Sequence, residues 1–155
     1  MLLVKLLYYA DREAILRRGA PITGDEMTSM DFGPVLSCVL DYVRGTKPRG
    51  PIWQQYVSES EFYTVKLLNP EPDLGALSEF ERQVLKEQDE RYGSQDPFEV
   101  SAASHKLPEW RDPLGSSLPI QVDEVLRVGG ASDKDITDVA ANARIEWFFR
   151  RLEET

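Results

Sequence analysis

The chain has 155 residues, 27 of them Asp or Glu against 18 Lys or Arg, for a formal net charge of −9, with one cysteine (Cys38) and one histidine (His105). That length fits one domain, and 41% hydrophobic residues are enough for a self-sufficient core rather than a disordered tail. A zinc site of four nitrogen and sulfur ligands, an internal disulfide, an apolar membrane span of about 18 residues and a phosphate-binding surface dominated by cations are all disfavoured, so a reducing, cytoplasmic setting without membrane or nucleic acid is expected.

Residues 2–17 read as a helix, with Leu3, Leu6, Leu7, Ala10 and Ala14 recurring at three and four. Leu2, Tyr9 and Leu16 widen the stripe, which predicts burial on more than one side. Gly19 and Pro21 stop it. The opening Met-Leu-Leu-Val is soon broken by Lys5, Asp11, Arg12 and Glu13, and it lacks the basic start and cleavage site of a signal peptide. Residues 19–33 read as an ordered loop. Gly33-Pro34 then marks a helix start, with Val35, Val39, Leu40 and Val43 inward, Cys38 beside them and Gly45 at the end.

Trp53–Val57 and Phe62–Leu68 are aromatic and β-branched, and Tyr63, Val65 and Leu67 alternate with Thr64 and Lys66, predicting an antiparallel hairpin turned by residues 58–61. Ser78-Glu-Phe-Glu81 is a capping box opening a helix to about Tyr92, with Leu77, Phe80, Val84, Leu85 and Tyr92 inward and a Glu87–Arg91 pair outside. Asp96-Pro97 opens a short helix that ends before Pro108. Residues 108–120 read as loop, and 120–128 stay open between helix and strand. Ser132 starts a last helix to Leu152, with Ile136, Val139, Ala140, Ala143 and Trp147 on one side. The fold class is mainly α, a compact helical α+β domain with a small antiparallel β-hairpin.

Candidate chemistry is sparse. His105, spaced three and seven from Ala102 and Phe98, reads either as a packed histidine at a helix end or as a general base, without an accompanying nucleophile motif. Cys38 reads as a small buried hydrophobe. Asp11, Asp25, Glu26 and Asp31 could converge as an acid pair or a magnesium site, or act as caps and turn residues. Arg12, Arg17 and Arg18, and separately Arg144, Arg150 and Arg151, form basic clusters near helix ends. Trp147, Phe148 and Phe149 spread aromatics over three adjacent angles of one helix, so with Arg150 they are candidates for partner binding. No residue is assigned as catalytic, and no cofactor or metal is expected.

Three segments in fixed order carry a family resemblance: Lys5-Leu-Leu-Tyr-Tyr-Ala-Asp11, then Gly19-x-Pro21-Ile-Thr-Gly-Asp25 and Phe32-Gly-Pro-Val35, with Ser104-His105 and Trp110 later. Together they resemble the Panacea domain family of SocA-like, phage-associated antitoxins over about residues 3–112. The matching positions are Lys5, Tyr8, Asp11, Gly24, Asp25, Gly33, Pro34, His105 and Trp110. The resemblance implies a 1–112 antitoxin domain; residues 113–155 lie beyond it and read as an extension with a long terminal helix, packed on the same domain. It implies a non-enzymatic protein that neutralises a cognate toxin by direct binding, with a basic toxin suited to the acidic charge, or that delivers the toxin to a protease as an adaptor. It also leads one to expect residues ahead of the first motif helix. The extension, with its aromatic cluster, would carry partner choice. The rival readings are a hydrolase or nuclease-like enzyme using the first-loop acids and His105, and a homodimeric DNA-linked regulatory scaffold using the basic clusters.

Overall fold

The computed structural model describes residues 1–153 apart from Tyr63 and Pro72, with side chains described as far as Ile145. Its helices are α1 (Leu2–Arg18), α2 (Ser37–Arg44), α3 (Pro51–Tyr56), α4 (Glu79–Tyr92), α5 (Pro97–Ser104), α6 (Val122–Val128) and α7 (Asp133–Glu153). Three short strands, β1 (Met27–Ser29), β2 (Val35–Leu36) and β3 (Leu118–Pro119), make an antiparallel sheet in the order β2-β1-β3. The molecule is thus mainly α with a small antiparallel sheet. Among the described residues no helix is long and apolar enough to cross a membrane.

α1 is the centre of the packing and touches α4, α5, α6 and β2. Surrounded in this way, it buries side chains on more than one side, including Val4, Tyr8, Tyr9, Ala14 and Ile15. The core joins Tyr8 and Ile15 of α1 to Met27 and Leu36 of the sheet and to Ile120, Val125 and Leu126 at α6. The segment after residue 112 therefore supplies a strand and part of this core. Gly19 ends α1 at φ 78°, and a Cβ there would meet Val139 Cγ2 of α7 at 2.7 Å.

The capping box at Ser78 and the Asp96 cap with Pro97 at the helix start form as the sequence predicts. Residues 120–128 resolve as α6. Three expectations are corrected. Gly33-Pro34 does not start α2: Gly33 lies at φ 87°, Val35 and Leu36 pair with β1, and the helix begins only at Ser37. The 19–33 loop contains β1, whose three residues are all buried and so show no alternation. Trp53–Val57 is not a strand, because Pro51 sets the first helical φ of α3. The expected antiparallel hairpin forms as a narrow ribbon held by bridges Val57–Leu67 and Glu61–Thr64.

Candidate functional site

The most buried positions of α1 include polar ones. Lys5 and Asp11 are 1% and 0% exposed, while the stripe residues Leu3, Leu6 and Leu7 are only half-buried. Lys5, Tyr8 and Asp11 each have a partner, as the cost of an unpaired buried group demands. Tyr8 donates its hydroxyl to Glu109 Oε1 at 3.0 Å. Arg12 donates to the same carboxylate through Nε at 2.5 Å and Nη2 at 3.3 Å. Burial, then the charge of Glu109, drives the Tyr8 phenol well above its ordinary pKa. Sequence reading missed Glu109 altogether: it sits in a loop after Pro108, 97 residues from Arg12, and no local pattern announces it.

Asp11 accepts the backbone N–H groups of Ile22 and Thr23, both at 2.9 Å, and the Thr23 hydroxyl. Burial still pushes its carboxyl above the usual value against those donors. Asp25 accepts from Cys38 N at 3.0 Å and Val39 N at 2.9 Å, the second and third residues of α2. It is therefore a remote cap for a helix whose own N-cap residue, Leu36, has no acceptor. Gly24, between these two acids' contacts, adopts φ 67°.

The remaining motif residues converge on one loop, Met30–Pro34. Trp110 Nε1 donates to the Met30 carbonyl at 3.1 Å, and Ser101 Oγ donates to the Phe32 carbonyl at 2.7 Å. Lys5 Nζ donates to the Pro34 carbonyl at 2.9 Å. His105 Nε2 lies 2.9 Å from the Asp31 carbonyl and Nδ1 lies 2.9 Å from that of Ser101. Carbonyls only accept, so the ring fills both bonds only with a proton on each nitrogen. The Trp110 ring meets His105 edge-on at 4.6 Å. Gly33 is required here twice over: its φ is 87°, and a Cβ would stand 2.1 Å from Ser104 Oγ and 2.8 Å from Lys5 Nζ. Four carbonyls of a five-residue loop are thus gripped from α1, α5 and the loop after it, while Phe32 is left 66% exposed.

Beside the gripped loop lies a cavity of about 780 Å³ whose lining includes Val4, Lys5, Phe32, Leu40, Arg44 and Phe62. Phe62, at the tip of the 57–67 ribbon, is 97% exposed and held at φ 49°. Burial pushes the Lys5 amine down to about 7.

Other candidates are placed as follows. His105 does not share an apolar face with Ala102 and Phe98, which are exposed; α5 turns Val100, Ser101 and Ser104 inward instead. Cys38 is a half-buried free thiol. Asp31 accepts from Gly115 N, and Glu26 is exposed. Among the described residues, no three of His, Cys, Asp and Glu come together as metal ligands would. The first basic cluster is dispersed into pairs: Arg12 with Glu109, Arg17 with Glu13 and Glu87, and Arg18 over the Phe80 ring. Glu87 therefore binds Arg17 rather than Arg91, which lies over Tyr92. Ala140 and Ala143, placed inward by the sequence pattern, are exposed; among the described residues of α7, Ile136 and Val139 are the ones that reach the core cluster. Trp147, Phe148, Phe149 and Arg150 fall within α7, but their side chains lie outside the described residues.

A family model described as Antitoxin SocA-like, Panacea domain matches residues 3–111. No curated protein and no solved structure matches the chain.

Proposed function

Because the chain belongs to the SocA-like, Panacea-domain antitoxin family, we propose that it neutralises a cognate protein toxin by direct protein–protein contact. Membership in that family suggests an antitoxin role with a toxin as partner and no enzymatic activity. The observation that carries the proposal is the match over residues 3–111, which spans α1 to the end of the loop-gripping residues.

The geometry supports contact over catalysis. Both His105 nitrogens face backbone carbonyls, and the carboxylates of Asp11 and Asp25 are occupied by backbone N–H groups. An acid and histidine hydrolase needs such groups aimed at a substrate. The pairing of Arg12 and Arg17 with acids likewise weighs against a DNA-linked scaffold. In this reading the domain acts in the cytoplasm and covers or distorts the toxin's working surface, or presents the toxin to a protease. A net charge of −9 draws a basic toxin by long-range attraction, and α7 with its aromatic cluster contributes to partner choice.

The test is co-expression with the product of the adjacent reading frame. Growth inhibition by that product alone, rescue by this chain and co-purification of the two are the expected results. A neighbour that does not inhibit growth, or inhibition that this chain does not relieve, overturns the reading.

A further inference from the structure

We propose that the cavity beside the gripped loop takes an apolar segment of the cognate toxin that carries a carboxylate. This rests on the antitoxin reading and assigns it a contact surface and a chemistry. Two phenylalanines, Phe32 and Phe62, are 66% and 97% exposed on the lining, next to Val4 and Leu40. Soluble proteins seldom group large exposed rings at the mouth of a groove without an occupant. Phe62 is also strained. A bulky residue at φ 49° is an outlier costing on the order of 1 kcal/mol or more. A turn needing only that backbone is served by Gly or Asn, so the backbone alone does not account for a phenylalanine here.

The charge on the lining selects the occupant. Its ionisable side chains are Arg44, Lys5, whose ammonium burial disfavours, and one acid, Asp31, which already accepts from Gly115 N. Among the described residues Arg44 has no ion pair, and Lys5 has one acceptor, the Pro34 carbonyl, for three N–H groups. In a chain of net charge −9 this is a locally cationic, apolar recess. Burial disfavours the Lys5 ammonium, and a carboxylate entering beside it restores that charge and gains an ion pair shielded from water. A toxin of net positive charge satisfies both scales: the whole-molecule field steers it, and one acidic, apolar segment fills the recess.

The test uses the full chain and the purified product of the adjacent reading frame, followed by calorimetry. Phe62→Gly removes the ring and relieves its backbone. Arg44→Glu reverses an exposed charge. Each is expected to weaken binding about tenfold or more while the melting temperature holds, or rises for Phe62→Gly. Unchanged affinity in both variants, with the wild type binding, overturns the recess and leaves the antitoxin reading standing. A wild type that neither binds nor rescues growth overturns both. If sedimentation shows a dimer of this chain that Phe62→Gly dissociates, the occupant is a second copy and the proposal falls.

Discussion

α1 and α7 are the two long helices, of 17 and 21 residues, and they meet opposite fates. α1 buries eight side chains, among them Lys5 and Asp11; in α7, Ile136 and Val139 are half-buried and residues 140–145 are exposed. Ile15 is fully buried and Ile145 is 54% exposed. Composition does not separate them, since both mix apolar and charged residues around the helix. What separates them is neighbours. α1 is enclosed by α4, α5, α6 and β2, and its buried polar groups find partners in the loops between such elements, at Ile22–Thr23, Pro34 and Glu109, whereas the described side chains of α7 reach the core through Ile136 and Val139 at its first turns. In α1 burial follows the supply of partners: Lys5, Tyr8 and Asp11 are buried where loop groups meet them.

The strongest way to break that account is to remove one partner. Glu109→Ala leaves Tyr8 and Arg12 without their shared acceptor in a buried setting. A loss of about 3–5 kcal/mol is expected in urea denaturation, and a loss below about 1 kcal/mol would mean that α1 does not depend on the pair. Lys5 sharpens the same point through pH. Its amine falls from the ordinary 10.5 to about 7 in the fold, so between those values the unfolded chain binds more protons. Stability therefore rises with pH across that window, by at most about 1.4 kcal/mol per unit. The buried phenols act the other way above about pH 10, because Tyr9 is pushed up to about 12 and Tyr8 higher still. Lys5→Met should abolish the rise and keep the fall; a profile unchanged by the substitution refutes the assignment.

Helix starts show why part of this was legible and part was not. Ser132 caps α7 through Asp135, and Ser78 caps α4 through Glu81, each within three residues and so visible as a local pattern. α2 is capped by Asp25, 13 residues before Cys38, and the nearer signal, Gly33-Pro34, belongs to the gripped loop. The strands are two or three residues long and fully or partly buried, too short for a period of two to appear. Lys5, Asp11, His105 and Trp110 were singled out by their motif, but their common task, holding 22–23 and 30–34 in place, needs the three-dimensional arrangement. Asp25→Ala should cost about 1–2 kcal/mol and Ser132→Ala about 0.5–1 kcal/mol by thermal melting; the reverse order would mean that the remote cap contributes less than the local one.

The smallest effect is the sharpest comparison of like with like. Ile145→Ser should change stability by no more than about 0.5 kcal/mol, because the residue is 54% exposed, while Ile15→Ala should cost about 2–5 kcal/mol through a cavity at the core's centre. A large loss for Ile145→Ser would show that α7 has a cover the isolated chain does not reveal. Protein concentration then separates two sources. If a second copy is the cover, the loss shrinks on dilution as the wild type itself dissociates. If the cover lies within the same chain, the loss is independent of concentration, and the contrast between the two helices reduces to α1 having polar partners and α7 having apolar ones.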